Sequence, residues 1–262
     1  MTLDLENGAS MGSRSLVIGE RGAMPENAKW CTNAGVRLEY LVWPAASPRL
    51  PPALLVPGMA APAAYWAQFP TLVSLLGHGS ERSVIAISLR GTGASDCPTD
   101  GWTPEFQHGD IDAVLRAESV ERCHLMGHSV GGVFALGFAL GASQRVVSLT
   151  MGDFPPVIPA HTEAWARDLE SWQEKHFHSD FPRRIVEASQ RIDYSMRLGE
   201  LEVPLLVIQG TAPGAALRDE HLSRFEGARQ LRILKVPADH DVFADDSCQV
   251  ACADFICQAE AT

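Results

Sequence analysis

Three observations predict an α/β fold built on a doubly wound, mostly parallel sheet. Short, continuously apolar runs recur along the chain, at Ala53–Val56 and residues 84–89, 122–126, 146–151, 205–208 and 231–236. Runs of this kind read as strands buried on both faces. Between them lie stretches with helical spacing of apolar residues, and Gly or Pro punctuates the junctions, as at Pro57-Gly58, Gly91 and Gly93. Strands alternating with helices specify a parallel sheet covered on both faces, joined by right-handed crossovers. In such sheets ligands sit at the carboxyl ends of the strands.

The elements follow in order. Residues 1–28 are rich in Gly, Ser, Asn and Glu and read as a flexible N-terminal extension, in which residues 15–18 could add an edge strand. Residues 29–31 and 36–42 flank Asn33-Ala34-Gly35, a hairpin turn. A Pro-rich loop (residues 44–52) precedes the first buried strand. Residues 63–76 read as a helix broken only by Pro70. Residues 110–118 form a short helix, with Ile111, Val114 and Leu115 on one face. Residues 130–140 form a helix of small residues. Residues 155–200 lose the strand rhythm and read as helices, near 162–176 and 182–192 with a turn at 194–198. Two further strands and a closing helix (residues 247–258) complete the chain.

Composition narrows the function classes. A chain of 262 residues fits one large α/β domain, which buries roughly 70–75% of its unfolded surface. With 32 acidic and 21 basic residues, the formal charge is −11. Nucleic-acid binding calls for a basic footprint that is absent here. No run approaches the 18 apolar residues of a membrane span, and residues 1–28 lack the apolar stretch of a signal peptide. A cytoplasmic protein is expected, acting on a small molecule, without nucleic-acid or membrane partners and with the oligomeric state open. The six cysteines show no CxxC pairing and read as reduced thiols. No metal or other cofactor is implied.

The strongest motif is Gly127-His128-Ser129-Val130-Gly131-Gly132, a G-x-S-x-G sequence with a strand running in and a helix running out. That context carries more weight than the letters, which recur by chance. The turn is sharp, forces Ser129 into strained backbone, and holds its hydroxyl at a helix N-terminus where developing negative charge is favoured. From about Lys29 onward the chain resembles the α/β-hydrolase superfamily. Val56-Pro57-Gly58-Met59 looks like its oxyanion loop, residues 89–96 like the turn after the next strand, and Ala238-Asp239-His240-Asp241 like its histidine loop. The resemblance implies a core of residues 29–154 and 201–262, a short helical cap over 155–200, and oxyanion donors at the Met59 and Val130 N–H groups.

A serine hydroxyl needs a base within reach. His240 follows the last strand, and the superfamily order of serine, acid and histidine places it as that base. The acid usually follows the preceding strand, but residues 210–214 (Gly-Thr-Ala-Pro-Gly) carry no carboxylate. Asp153, after the strand at 146–151, is the first candidate to orient the imidazole; Asp219 or Glu220 are the alternatives. Asp239 and Asp241 flank His240 and would point away from its ring. His128 reads as the variable residue of the elbow. Ser88-Leu89-Arg90-Gly91 replaces a frequent Asp-x-Arg-Gly pattern, with Arg90 read as a loop brace.

Trp165, Leu169 and Trp172 fall on one helical face. They and Trp66 are either packing residues or apolar walls of a substrate pocket. The leading expectation is a serine hydrolase cleaving an ester-type bond: carboxylic ester, lactone or thioester. Carbon–carbon hydrolysis uses the same chemistry. Epoxide and haloalkane hydrolases resemble this fold but carry Asp at the nucleophile position. A non-hydrolytic lyase or cyclase, and a ligand receptor, are the other classes open on this fold.

Overall fold

The computed structural model describes residues 25–172 and 175–261. Strands β1 (Ala28–Asn33) and β2 (Val36–Trp43) form the hairpin, turning through Ala34 and Gly35 at φ 48° and 80°. That left-handed pair is what a two-residue loop between right-twisted strands requires. Then follow β3 (Ala53–Val56), α1 (Pro70–Leu76), β4 (Val84–Ile87), α2 (Pro104–Ala117), β5 (Cys123–His128), α3 (Val130–Gly141) and β6 (Val146–Gly152). The middle segment holds β7 (Val157–Ile158), α4 (Glu163–Ser171), α5 (Phe181–Ala188) and β8 (Ile192–Asp193). The chain closes with β9 (Leu205–Gly210), β10 (Leu231–Val236) and α6 (Asp246–Glu260).

The main sheet has the order β1-β2-β4-β3-β5-β6-β9-β10. From β4 to β10 every neighbouring pair is parallel; β1 and β2 run antiparallel at one edge. Successive side chains of a strand face opposite ways, which divides the core into two layers. On one face Leu54, Val56 and Leu125 pack with Ile111 and Val114 of α2 and Val133 of α3. On the other, Leu55 and Met126 pack with Leu72 of α1 and Cys252 and Phe255 of α6. All four residues of β3 and all four of β4 are buried, as their unbroken apolar sequences require.

The helix expected over 63–76 is two elements: a 3-10 turn at Ala63–Gln68, then α1 with Pro70 in its first turn, where a missing N–H costs nothing. Helix α2 begins at Pro104, six residues before the expected start. Its first turn carries Glu105, Gln107 and His108 rather than an apolar stripe. The small antiparallel ribbon β7–β8 was not expected in a segment read as helices. The possible edge strand at 15–18 lies outside the described residues. Among the described residues no helix is long and apolar enough to cross a membrane, and the six cysteines are free thiols.

Candidate active site

Strand β5 delivers Ser129 at the N-cap of α3 with φ 53° and ψ −134°, backbone that a residue with a Cβ adopts only under strain. The surroundings hold it there. The Ser129 N–H donates to the Gly152 carbonyl at 2.8 Å, so the pairing of β5 with β6 continues into the turn. A Cβ at Gly131 would lie 2.2 Å from the Pro57 carbonyl oxygen, and one at Gly127 would lie 2.4 Å from the Gly132 backbone. The elbow closes this tightly only because those positions are glycine.

Asp153 leaves the end of β6 at φ 47°, its N–H donating to the Ile208 carbonyl of β9 at 2.8 Å. It is 0% exposed. Its Oδ2 lies 2.8 Å from His240 Nδ1 and accepts from the Ala216 N–H at 2.7 Å. Its Oδ1 accepts from the Gly210 and Leu217 N–H groups at 2.9 and 3.3 Å. The loop after β9 therefore contributes backbone amides where a carboxylate side chain was looked for. With a carboxylate on Nδ1, the imidazole carries its proton there and leaves Nε2 as the free base. Asp219 is exposed and engaged by Lys235 Nζ at 2.7 Å and Gln209 Nε2 at 2.9 Å. Glu220 is exposed beside His221. Neither touches His240.

Ser129 and His240 are 7% and 8% exposed. Beside His240 lies His128, whose part in the site the sequence does not display. Its Nε2–H donates to the His240 carbonyl at 2.9 Å, and its ring tilts over the His240 ring with centroids 4.7 Å apart. Tyr65 stacks on its other face, 5.1 Å away and 14° from parallel, and donates its hydroxyl to Asp241 at 3.1 Å. Burial, then the neighbouring His240, lowers the His128 pKa to about 3, so its ring is neutral. Burial, then Asp241, keeps the Tyr65 phenol protonated. No local signal in the sequence marks these contacts; they join residues distant in the chain, His128 to His240 and Tyr65 to His128 and Asp241.

The loop Pro57-Gly58-Met59 crosses directly over the elbow, since a Cβ at Gly58 would sit 3.2 Å from the Ser129 Cβ. Among the described residues, neither the Met59 nor the Val130 N–H donates to a protein group, which leaves both available beside Ser129. Trp165 and Trp172 pack with Met59, Trp102, Leu169 and Phe181 in a small apolar cluster over this loop. Trp66 is elsewhere: 0% exposed and edge-on to Phe243, it belongs to the sheet–helix core. The 3-10 turn at Ala63–Gln68 rotates it inward, so it is a core residue and not a pocket wall. Arg90 is buried in a two-point ion pair with Asp110, the brace its position implied.

The model of the alpha/beta hydrolase family matches residues 53–253. A RutD protein of Variovorax paradoxus, provisionally named a carbamate hydrolase, is 39% identical over 99 residues, 37% of this chain and 36% of that protein. The N-formylmaleamate deformylase of Pseudomonas putida is 32% identical over 123 residues, 47% of this chain and 43% of that one. The chain thus spans less than half the length of these curated relatives. Among solved structures, the enol-lactonase of Burkholderia xenovorans LB400 superposes with a TM-score of 0.70 at 18% identity, covering 89% of this chain and 100% of its own. That likeness speaks to the fold. With the family model spanning most of the chain, the protein belongs to the alpha/beta hydrolase family.

Proposed function

We propose that the protein is a serine hydrolase that cleaves an ester-type carbonyl bond of a small, largely apolar substrate through Ser129, His240 and Asp153. The observation that carries this reading is the buried Asp153–His240 hydrogen bond of 2.8 Å, beside a serine held in strained backbone at a helix N-terminus. In this scheme His240 Nε2 takes the Ser129 proton as Oγ attacks the carbonyl carbon. Asp153 holds the imidazole orientation and stabilises the imidazolium. The Met59 and Val130 N–H groups receive the oxyanion. Collapse expels the leaving group, which takes the proton from His240, and water then cleaves the acyl-enzyme by the same steps in reverse roles. The apolar cluster with Trp165 and Trp172 over the oxyanion loop supports an apolar acyl or leaving group. The names of the relatives, carbamate hydrolase, deformylase and lactonase, widen the bonds worth testing while keeping attack at a carbonyl.

The test is labelling with a fluorescent fluorophosphonate, followed by turnover of a panel of esters, lactones, thioesters, carbamates and formamides. Wild type should label, and Ser129→Ala should not. Asp153→Asn should lower kcat by about 10³–10⁴-fold. A folded wild-type protein that neither labels nor turns over any member of the panel would overturn the reading.

A further inference from the structure

Resting on that reading, we infer that His128 is a positioning residue. Its Nε2–H fixes the backbone of His240 through the 2.9 Å hydrogen bond to the His240 carbonyl, and Tyr65 braces both.

The base of a serine hydrolase must hold its ring to within a few tenths of an ångström of the nucleophile, because misplacement by about 1 Å can cost about 10²-fold in rate. Asp153 anchors only one ring atom, Nδ1, and leaves the ring free to swing with its own backbone. His240 lies on a connection between β10 and a 3-10 turn at Val242–Ala244, with Asp239 and Asp241 on either side. The backbone of this connection is tied at Ala238, whose carbonyl accepts from the Ala212 N–H, and at Asp241, whose carbonyl accepts from the Ala244 N–H. At His240 itself the anchor is the bond from His128.

A carbonyl only accepts, so Nε2 of His128 must carry the proton. That assigns the tautomer and leaves Nδ1 bare on the side of Gly58, where a Cβ would come within 3.3 Å of it. One ring therefore touches the oxyanion loop on one side and the histidine loop on the other, while its own backbone adjoins Ser129. Tyr65 completes the brace: it rises from the 3-10 turn after the oxyanion loop, stacks on His128 and holds Asp241 by its hydroxyl. Phe243 closes the edge at 5.9 Å. The neutrality of His128 suits the role, because a second cation against His240 would oppose the imidazolium formed during turnover.

The experiment separates the hydrogen bond from the packing. His128→Gln keeps an N–H donor at the same reach along the side chain, and His128→Phe keeps the flat ring without the donor. Tyr65→Phe keeps the stack and removes the hydroxyl. With a short-chain p-nitrophenyl ester, His128→Phe should lose about 10- to 100-fold in kcat with KM changed less than about 2-fold. His128→Gln should return to within about 3-fold of wild type, and Tyr65→Phe should fall between. The proton between His240 Nδ1 and Asp153 gives a second readout that needs no substrate. Its low-field NMR resonance, assigned by its loss in Asp153→Asn, should broaden or vanish in His128→Phe and persist in His128→Gln. Equal activity and equal resonances in wild type, His128→Phe and Tyr65→Phe would overturn the inference, as would a His128→Gln protein that is folded but as impaired as His128→Phe. Were wild type to show neither labelling nor turnover, the hydrolase reading would fail, and the resonances alone would decide whether His128 orders His240.

Discussion

Both carboxylate oxygens of Asp153 meet donors: three backbone amides and the His240 ring. Asparagine at this position supplies one acceptor oxygen and one NH2 group, and the latter must face an N–H. Asp153→Asn should therefore lower stability as well as activity, by roughly 1–3 kcal/mol for the unsatisfied buried donor, measurable by urea unfolding. A variant with lost activity and unchanged stability would show that the amides do not depend on the charge. Asp153 was legible as a candidate because it follows the strand at 146–151 at its carboxyl end, a place where some members of the resembled superfamily carry the acid. What the sequence could not display is the set of amides from residues 210–217 that receives its second oxygen. The roles of His128 and Trp66 were hidden for a related reason. One depends on a carbonyl 112 residues away, and the other on the turn that points its ring inward.

The turn after β4 is where an expected carboxylate is missing from its own segment and arrives from another. Antiparallel pairing of β2 with β4, Tyr40 opposite Ile87, carries on until the Ser88 N–H meets the Glu39 carbonyl at 2.9 Å. Buried Glu39 then accepts from the Ser88 hydroxyl at 2.8 Å and the Ala94 N–H at 3.0 Å. Ser88 Oγ in turn accepts from the Ala63 N–H at 2.8 Å, tying this turn to the segment beyond the oxyanion loop. Register between strands separated by some 45 residues is not written in either strand, so nothing local marks Glu39 as the partner of this turn. The neighbouring Arg90–Asp110 pair, nearly inaccessible on both sides, locks the middle of α2 to the same turn. Asp110→Ala would leave a guanidinium buried without its partner and should cost about 3–5 kcal/mol, whereas Arg90→Met with Asp110→Leu should cost much less. Thermal melts of the three proteins check this. The early start of α2 was unreadable because Gln107 is a buried polar residue, which breaks the apolar periodicity of the turn that buries it.

Across the whole molecule, neutral buried histidines couple folding to pH. Burial lowers His108, His124 and His161 each to about 4 and His128 to about 3. His124 shows how strong burial is. Its Nε2 lies 3.1 Å from Glu260, which raises the pKa, yet desolvation still wins. Folded-state values below the unfolded value of about 6.5 mean that the unfolded chain binds more protons. The stability these groups confer is complete above about pH 6.5 and declines as pH falls through about 4. The melting temperature should drop steadily from pH 6.5 to 4.5, before most carboxylates titrate, and His124→Gln should shallow that slope; a flat profile over this range would contradict the burial of these rings. The same accounting of donors has a consequence for tolerance to change. The loop after β9 serves Asp153 only through main-chain N–H groups, so the side chains of Ala212 and Pro213 add nothing to that network. Ala212 and Pro213 should accept almost any residue with turnover intact, while Ala216→Pro, which deletes a single hydrogen atom from the network, should silence the enzyme. Along this loop the network reads which residues keep a main-chain N–H, while Thr211 and Leu217 answer to the fold.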